Sequence, residues 1–133
     1  YRDGFIGEGL AFFPWPDALE KAKWADKWVR ERFNRLGVKF DDFRIDYMGV
    51  NMLHGEAAPM EDKDYNEVGI RIVGKTKTYD EADAIRREAT HLWTMGPVGV
   101  SFGVPMSVRP VVALWPTLVP RDAVKIESQL MEV

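Results

Sequence analysis

The stretch NEVGIRIVGKTKTYDEADAIRREATHLW, residues 66–93, contains a change of period on which the fold turns. Its first part alternates, with Val68, Ile70 and Ile72 on one side, as in a half-buried strand. Thr78 and Glu81 then stand in the T-x-x-E spacing of a capping box, in which each side chain reaches an otherwise unpaired amide at a helix start. Ala82, Ile85, Ala89 and Leu92 follow at helical spacing. Gly96 and Pro97 end the helix near Met95, the first by removing a side chain and the second by removing an amide donor.

Upstream the same strand-then-helix order recurs. GFIGEGLAFF (4–13) alternates well enough for a first strand, although Gly4, Gly7 and Gly9 weaken it and point to a bulge or a close backbone approach. In DALEKAKWADKWVRERFNRLG (17–37), Leu19, Ala22, Ala25, Val29, Phe33 and Leu36 recur at helical spacing before Gly37. FRIDYMGV (43–50) sets Phe43, Ile45 and Tyr47 against Arg44, Asp46 and Met48, giving a second strand. The polar, proline-containing GEAAPMEDKD (55–64) reads as a loop before the third strand. SVRPVVALW (107–115) supplies a fourth, placed at an edge because Pro110 has no amide to donate.

The order βαββαβ predicts an α+β fold of the ferredoxin-like kind, with two helices on one face of a four-stranded antiparallel sheet. Residues 1–120 are expected to form this domain and 121–133 a C-terminal tail, in which AVKIESQLMEV has the pattern of an extra strand. YRDGFIGEGLAFF opens without methionine at what looks like a strand edge, so the sequence is expected to be a fragment or subunit of a larger protein.

Composition limits the function. At 133 residues and 46% hydrophobic, the chain can build one core. A net charge of −3 with interspersed signs offers no basic stripe for nucleic acid. No apolar stretch approaches the roughly 18–20 residues that cross a bilayer, and no signal sequence opens the chain. Neither nucleic acid nor membrane is an expected partner. The absence of cysteine excludes disulfides, thiolate metal sites and a thiol nucleophile, and suits a reducing cytoplasm.

Alternation aims Glu8, Arg44, Asp46, Arg71 and Arg109 at the uncovered side of the sheet. This is either a solvated face laced with weak ion pairs or a docking face for another domain or an anionic ligand. On the first helix, steps of about 100° put Trp28 roughly 100° and Trp24 roughly 140° from the centre of the apolar stripe. Large aromatics four residues apart on an outer surface are interface anchors, unless they merely border the core.

Other chemistry is thinly represented. GVSFG (99–103) places serine before a strand, not on a strand-to-helix elbow. GPVGVSFG (96–103) follows a helix, so no helix N-terminus faces a phosphate there, and it reads as a flexible connector. His54 and Glu56 are near one another, and His91 falls on the outer face of the second helix, which is too few ligands for a metal site. His54, one of two histidines, ends the second strand beside Asn51 and Gly55, where loops place reactive groups but where solvent-exposed histidines are also common. Glu8 and Asp46 are a candidate carboxylate pair only if their strands are brought together.

YRDGFIGEG (1–9), DALEKAKWADKWVRERF (17–33), RIDYMGVNMLHG (44–55) and TMGPVG (94–99) together resemble the latter part of the acyclic terpene utilisation (AtuA-like) family, from Tyr1 to about Pro120. The chain departs from the family pattern at Met52, where serine is usual, and in VSFGVP (100–105), where a glycine run is usual, which puts the family's substrate in doubt for this chain. The resemblance implies catabolism of terpenoid or other carboxylic acids as acyl-CoA derivatives. It also implies a larger α/β domain or subunit as partner, in a homo- or hetero-oligomer, and it names no cofactor. By position it carries over Glu8, Asp46, Asn51 and His54, with Gly55, as site residues, while Gly4, Gly7 and Gly9 serve backbone geometry. The alternative is a noncatalytic ferredoxin-like module that holds an oligomer through its open sheet and through Trp24 and Trp28.

Overall fold

The structure, a computed structural model, describes residues 1–58, 63–103 and 106–131. Parts of three segments discussed above therefore lie outside the described residues: 59–62 of the polar loop, 104–105 of VSFGVP and 132–133 of the tail.

The elements follow the expected order: β1 (Arg2–Pro14), α1 (Ala18–Leu36), β2 (Asp42–Met48), β3 (Glu67–Thr76), α2 (Tyr79–Met95), β4 (Ser101–Phe102) and β5 (Arg109–Val112). The sheet is antiparallel in the order β2-β3-β1-β4, and β5 also pairs with β1. Both helices pack on one face of β1 and β3. This is an α+β fold compatible with ferredoxin-like topology.

The alternation sorts as the sequence requires. Ala11 and Phe13 of β1 and Val68, Ile70 and Ile72 of β3 point to the helices and are buried. They meet Ala22, Ala25, Val29 and Phe33 of α1 and Ile85, Ala89 and Leu92 of α2. Each large side chain buried this way contributes about 1.5–3 kcal/mol. Leu36, expected on the apolar stripe, is instead half exposed in the last turn before Gly37.

The glycines of β1 answer to two needs. Gly4 has φ +89°, beside the irregular register between Arg2 and Phe5. Gly7 and Gly9 lie directly under α2, where an added methyl would overlap the Ala82 carbonyl and the Ala89 methyl respectively. Small residues on both partners thus set the distance between α2 and the sheet.

The helix start at Thr78 is built as anticipated on the threonine side, with Oγ1 accepting from the Glu81 amide at 3.3 Å. The Glu81 carboxylate accepts from the Thr78 hydroxyl at 2.7 Å and from the Lys39 amide at 3.3 Å. These bonds, the Thr78 hydroxyl foremost, hold the Glu81 carboxyl below its ordinary value.

Two expectations are corrected. The fourth strand is split: β5 occupies only part of 107–115, and β4 falls within the stretch read as a connector. β1 is long enough to take both in succession along one side, Ser101 and Phe102 opposite Phe12 and Ala11, then Arg109 and Pro110 opposite Ile6 and Phe5. The tail forms no strand among its described residues, only a 3-10 turn at Arg121–Ala123. Val124, Ile126 and Leu130 alternate in part, but all are exposed, and alternation without a ladder partner or buried face does not hold a strand.

Candidate functional site

The face of the sheet turned away from the helices carries a row of charges across β5, β1, β3 and β2. Its centre is Arg71 on β3. Register places Arg71 opposite Asp46 of β2 on one side and opposite Leu10 of β1 on the other, with Glu8 one same-face position along β1. The Arg71 guanidinium donates through Nε to Glu8 Oε1 and through Nη1 to Asp46 Oδ2, the latter at 3.1 Å. Arg109 donates to Glu8 Oε2 at 3.0 Å, and Arg44 Nε lies 3.3 Å from Asp46 Oδ2. The order across the face is Arg109, Glu8, Arg71, Asp46, Arg44.

The row is least exposed in the middle. Glu8 is 5% exposed although it lies on the uncovered face, whereas the side chains of Arg44 and Arg109 are 63% and 57% exposed. Burial alone would lower the Arg71 value, but the bonds to Glu8 and Asp46 outweigh it and raise that value above the ordinary one. Arg71 is therefore a fixed cation held by two carboxylates.

The candidate residues thus separate into two groups. Glu8 and Asp46 sit on strands kept apart by β3, yet Arg71 joins them into one unit. Asn51 and His54 lie past the end of β2, in a turn closed by backbone bonds from Asn51 N to Tyr47 O (3.1 Å) and from Gly55 N to Asn51 O (2.7 Å). His54 is exposed and precedes the 3-10 turn Gly55–Ala57 without a side-chain capping bond. Among the described residues no hydrogen bond or ion pair links His54 or Asn51 to Glu8 or Asp46.

Arg71, Arg44 and Arg109 were legible as members of this face by alternation, but not Arg71's role as its hub, because register between strands is not written in either strand alone. A second buried charge went unseen. Glu88 of α2 is 4% exposed and accepts a two-pronged contact from Arg32 of α1, at 2.9 Å from Nε and 3.2 Å from Nη2. His91 Nδ1 stands 3.4 Å from the same carboxylate. The available signal was spacing, since Glu88 shares the inward stripe of Ile85, Ala89 and Leu92. Burial pushes the Glu88 carboxyl up, but Arg32 and then His91 outweigh it and hold it below its ordinary value.

The two tryptophans also differ. Their rings stack with centroids 6.3 Å apart, but Trp24 is 45% exposed whereas Trp28 packs partly against the core, beneath the Arg32 guanidinium. Among the described residues no cluster of three or more His, Asp or Glu is placed to hold a metal ion, and no helix is long and apolar enough to cross a membrane.

Fold and face together define an α+β module of ferredoxin-like topology with an ion-paired open sheet. The family model described as "Acyclic terpene utilisation family protein AtuA" matches residues 1–130, nearly the whole chain. The chain belongs to that family. No curated protein and no solved structure matches it.

Proposed function

We propose that this chain is the C-terminal segment or small subunit of a cytoplasmic AtuA-family enzyme that degrades terpenoid or other carboxylic acids as acyl-CoA derivatives. Its open sheet face forms a site shared with a larger α/β domain or subunit. The observation that supports this reading is the union of Glu8 and Asp46, each from a family-resembling motif, through the single guanidinium of Arg71. A carboxylate 5% exposed on an uncovered sheet face is costly unless its partners are fixed, and a covering domain would strengthen every bond in the row.

The geometry supports the following roles. Both oxygens of Glu8 are taken, one by Arg71 and one by Arg109, so its role is to position those cations. Asp46 holds Arg71 and Arg44 through a single oxygen, Oδ2. Arg44 and Arg109, exposed at the ends, are the groups that meet an anionic substrate. Asn51 and His54, on the turn beyond β2, contribute from the rim, where His54 is open to solvent and to a partner domain.

The test is turnover of branched acyl-CoA substrates by the complex purified from its source, comparing Arg71→Met and His54→Ala with the unsubstituted protein. Loss of activity in Arg71→Met with assembly intact supports the shared site. A lost limb of the pH-rate profile in His54→Ala assigns the histidine. Full activity in both variants overturns the assignment of the site to this face.

A second reading has its own observation. Trp24 forms one wall of an apolar depression of about 420 Å³ with Met95 and Pro97, between the start of α1 and the end of α2. This supports a noncatalytic module that holds an oligomer through that face. Loss of assembly in Trp24→Ala, with His54→Ala harmless, would favour it.

A further inference from the structure

We infer that the open sheet face carries an oxyanion-binding subsite beside the ion-pair row, seated over β2 and β3, which takes a carboxylate or phosphate group of the substrate. The inference rests on the assignment of substrate to this face. Its basis is a depression of about 230 Å³ lined by Arg44, Arg71 and Lys75, with Asp42 as the sole acid and Ile6 and Val73 as apolar lining. Three cations and one acid line it, and the acids that pair with those cations, Glu8, Asp46 and Asp3, stand outside the lining.

Arg71 and Lys75 are held in place. Arg71 is oriented by Glu8 and Asp46, which lie outside the lining. Lys75, on the same face of β3 two rungs further along, donates to Asp3, also outside it. Arg44 leans on Asp46 and is otherwise exposed. Acids behind the cations fix their positions without filling the depression, so an incoming anion meets donors already ordered. That preorganisation reduces the entropy lost on binding. Arg71 and Arg44 suit planar, two-pronged recognition of a carboxylate or phosphate, and Lys75 adds a point charge.

Apolar Ile6 and Val73 distinguish this from a plain surface cation patch. An oxyanion attached to a hydrocarbon body can place its charge against the arginines and its first carbons against these side chains. Branched acids satisfy this through their own carboxylate. Acyl thioesters of coenzyme A satisfy it through the phosphates of the carrier.

The test uses the full chain, isotope-labelled, titrated separately with coenzyme A and with 3-methylbutanoate and followed by NMR of the arginine Nε–H and backbone signals of β2 and β3. The expected result is saturable shifts centred on Arg44, Arg71 and Lys75 with at least one probe, and the tighter probe identifies whether phosphate or carboxylate is the natural handle. Arg44→Met combined with Lys75→Met should weaken that binding about tenfold or more, as loss of charge-assisted contacts predicts. Arg87→Met, on the surface of α2, should leave it unchanged. Shifts scattered over the surface, no saturation with either probe, or equal binding by the double variant would each overturn the inference. Turnover measured in parallel on the purified complex keeps the two failures apart. Activity with KM unaltered in the double variant removes the subsite and leaves the enzyme, whereas localised binding without turnover of any acyl thioester leaves the subsite and removes the proposed reaction.

Discussion

Replacing Glu8 with glutamine tests whether the ion-pair row is held together or merely solvated. The substitution keeps shape and one acceptor oxygen but removes the charge that two guanidiniums share. At Arg71, whose side chain is 23% exposed, a charge-assisted bond is lost in a partly desolvated place, at a cost of about 1.5–3 kcal/mol. Arg71 keeps Asp46, so the larger penalty for isolating a buried charge does not apply in full. At Arg109, more than half exposed, water takes over, and the loss is about 0–1 kcal/mol. The expected total is about 1.5–4 kcal/mol. With a urea slope of about 2 kcal/mol per molar, that moves the unfolding midpoint down by roughly 0.75–2 M at unchanged slope. Arg109→Gln alone should move it much less, and a cycle of Glu8→Gln with Arg71→Gln should give a coupling above about 1 kcal/mol. A Glu8→Gln loss below about 0.5 kcal/mol would refute the argument, since that is the size of an ordinary exposed pair.

Gly9→Ala should destabilise by about 1–3 kcal/mol because its methyl overlaps that of Ala89, and adding Ala89→Gly should recover part of the loss in the same denaturation assay. Glu88 ties stability to acid: its folded carboxyl lies below the ordinary value of 4.5, so its contribution is complete above that value and is lost as pH falls through the lower folded one. Urea midpoints measured from pH 6 down to pH 3 should fall less steeply in Glu88→Gln than in the unsubstituted protein, and equal slopes would show that Glu88 carries no such linkage. Trp28→Ala should lower thermal stability through lost core packing, whereas Trp24→Ala should leave the midpoint within a degree or two and, on the oligomer reading, change the mass seen by native mass spectrometry.

What could be read from the sequence was what lies within one element. The inward stripe of α2, Ala82, Ile85, Ala89 and Leu92, follows from a period alone and is buried throughout. The opposed faces of β2 and β3 follow from alternation, and with them the placement of Arg44, Asp46 and Arg71 on the uncovered side. What escaped depends on pairing between elements. β4 is two residues long and exists because β1 extends past β5, so no local pattern in GPVGVSFG could announce it. The tail failed in the opposite direction, with a strand-like pattern and no neighbour to pair with. Glu88 lies within an apolar stripe and its partner Arg32 stands 56 positions earlier in the chain, so no local pattern announces the pair.

The same distinction explains why the role of Glu8 changes between sequence and structure. As a residue in a motif it is a carboxylate available for acid–base work. Once β3 lies between β1 and β2, the distance from Glu8 to Asp46 is filled by a guanidinium, and both Glu8 oxygens are committed to arginines. Burial then raises the cost of disturbing that arrangement, because each group in the row depends on the next for its charge balance. On the proposed function, a ligand meets the row where the constraint is weakest, at Arg44 and Arg109, whose guanidiniums keep most of their surface in water and can exchange it. The middle of the row fixes where those two cations stand.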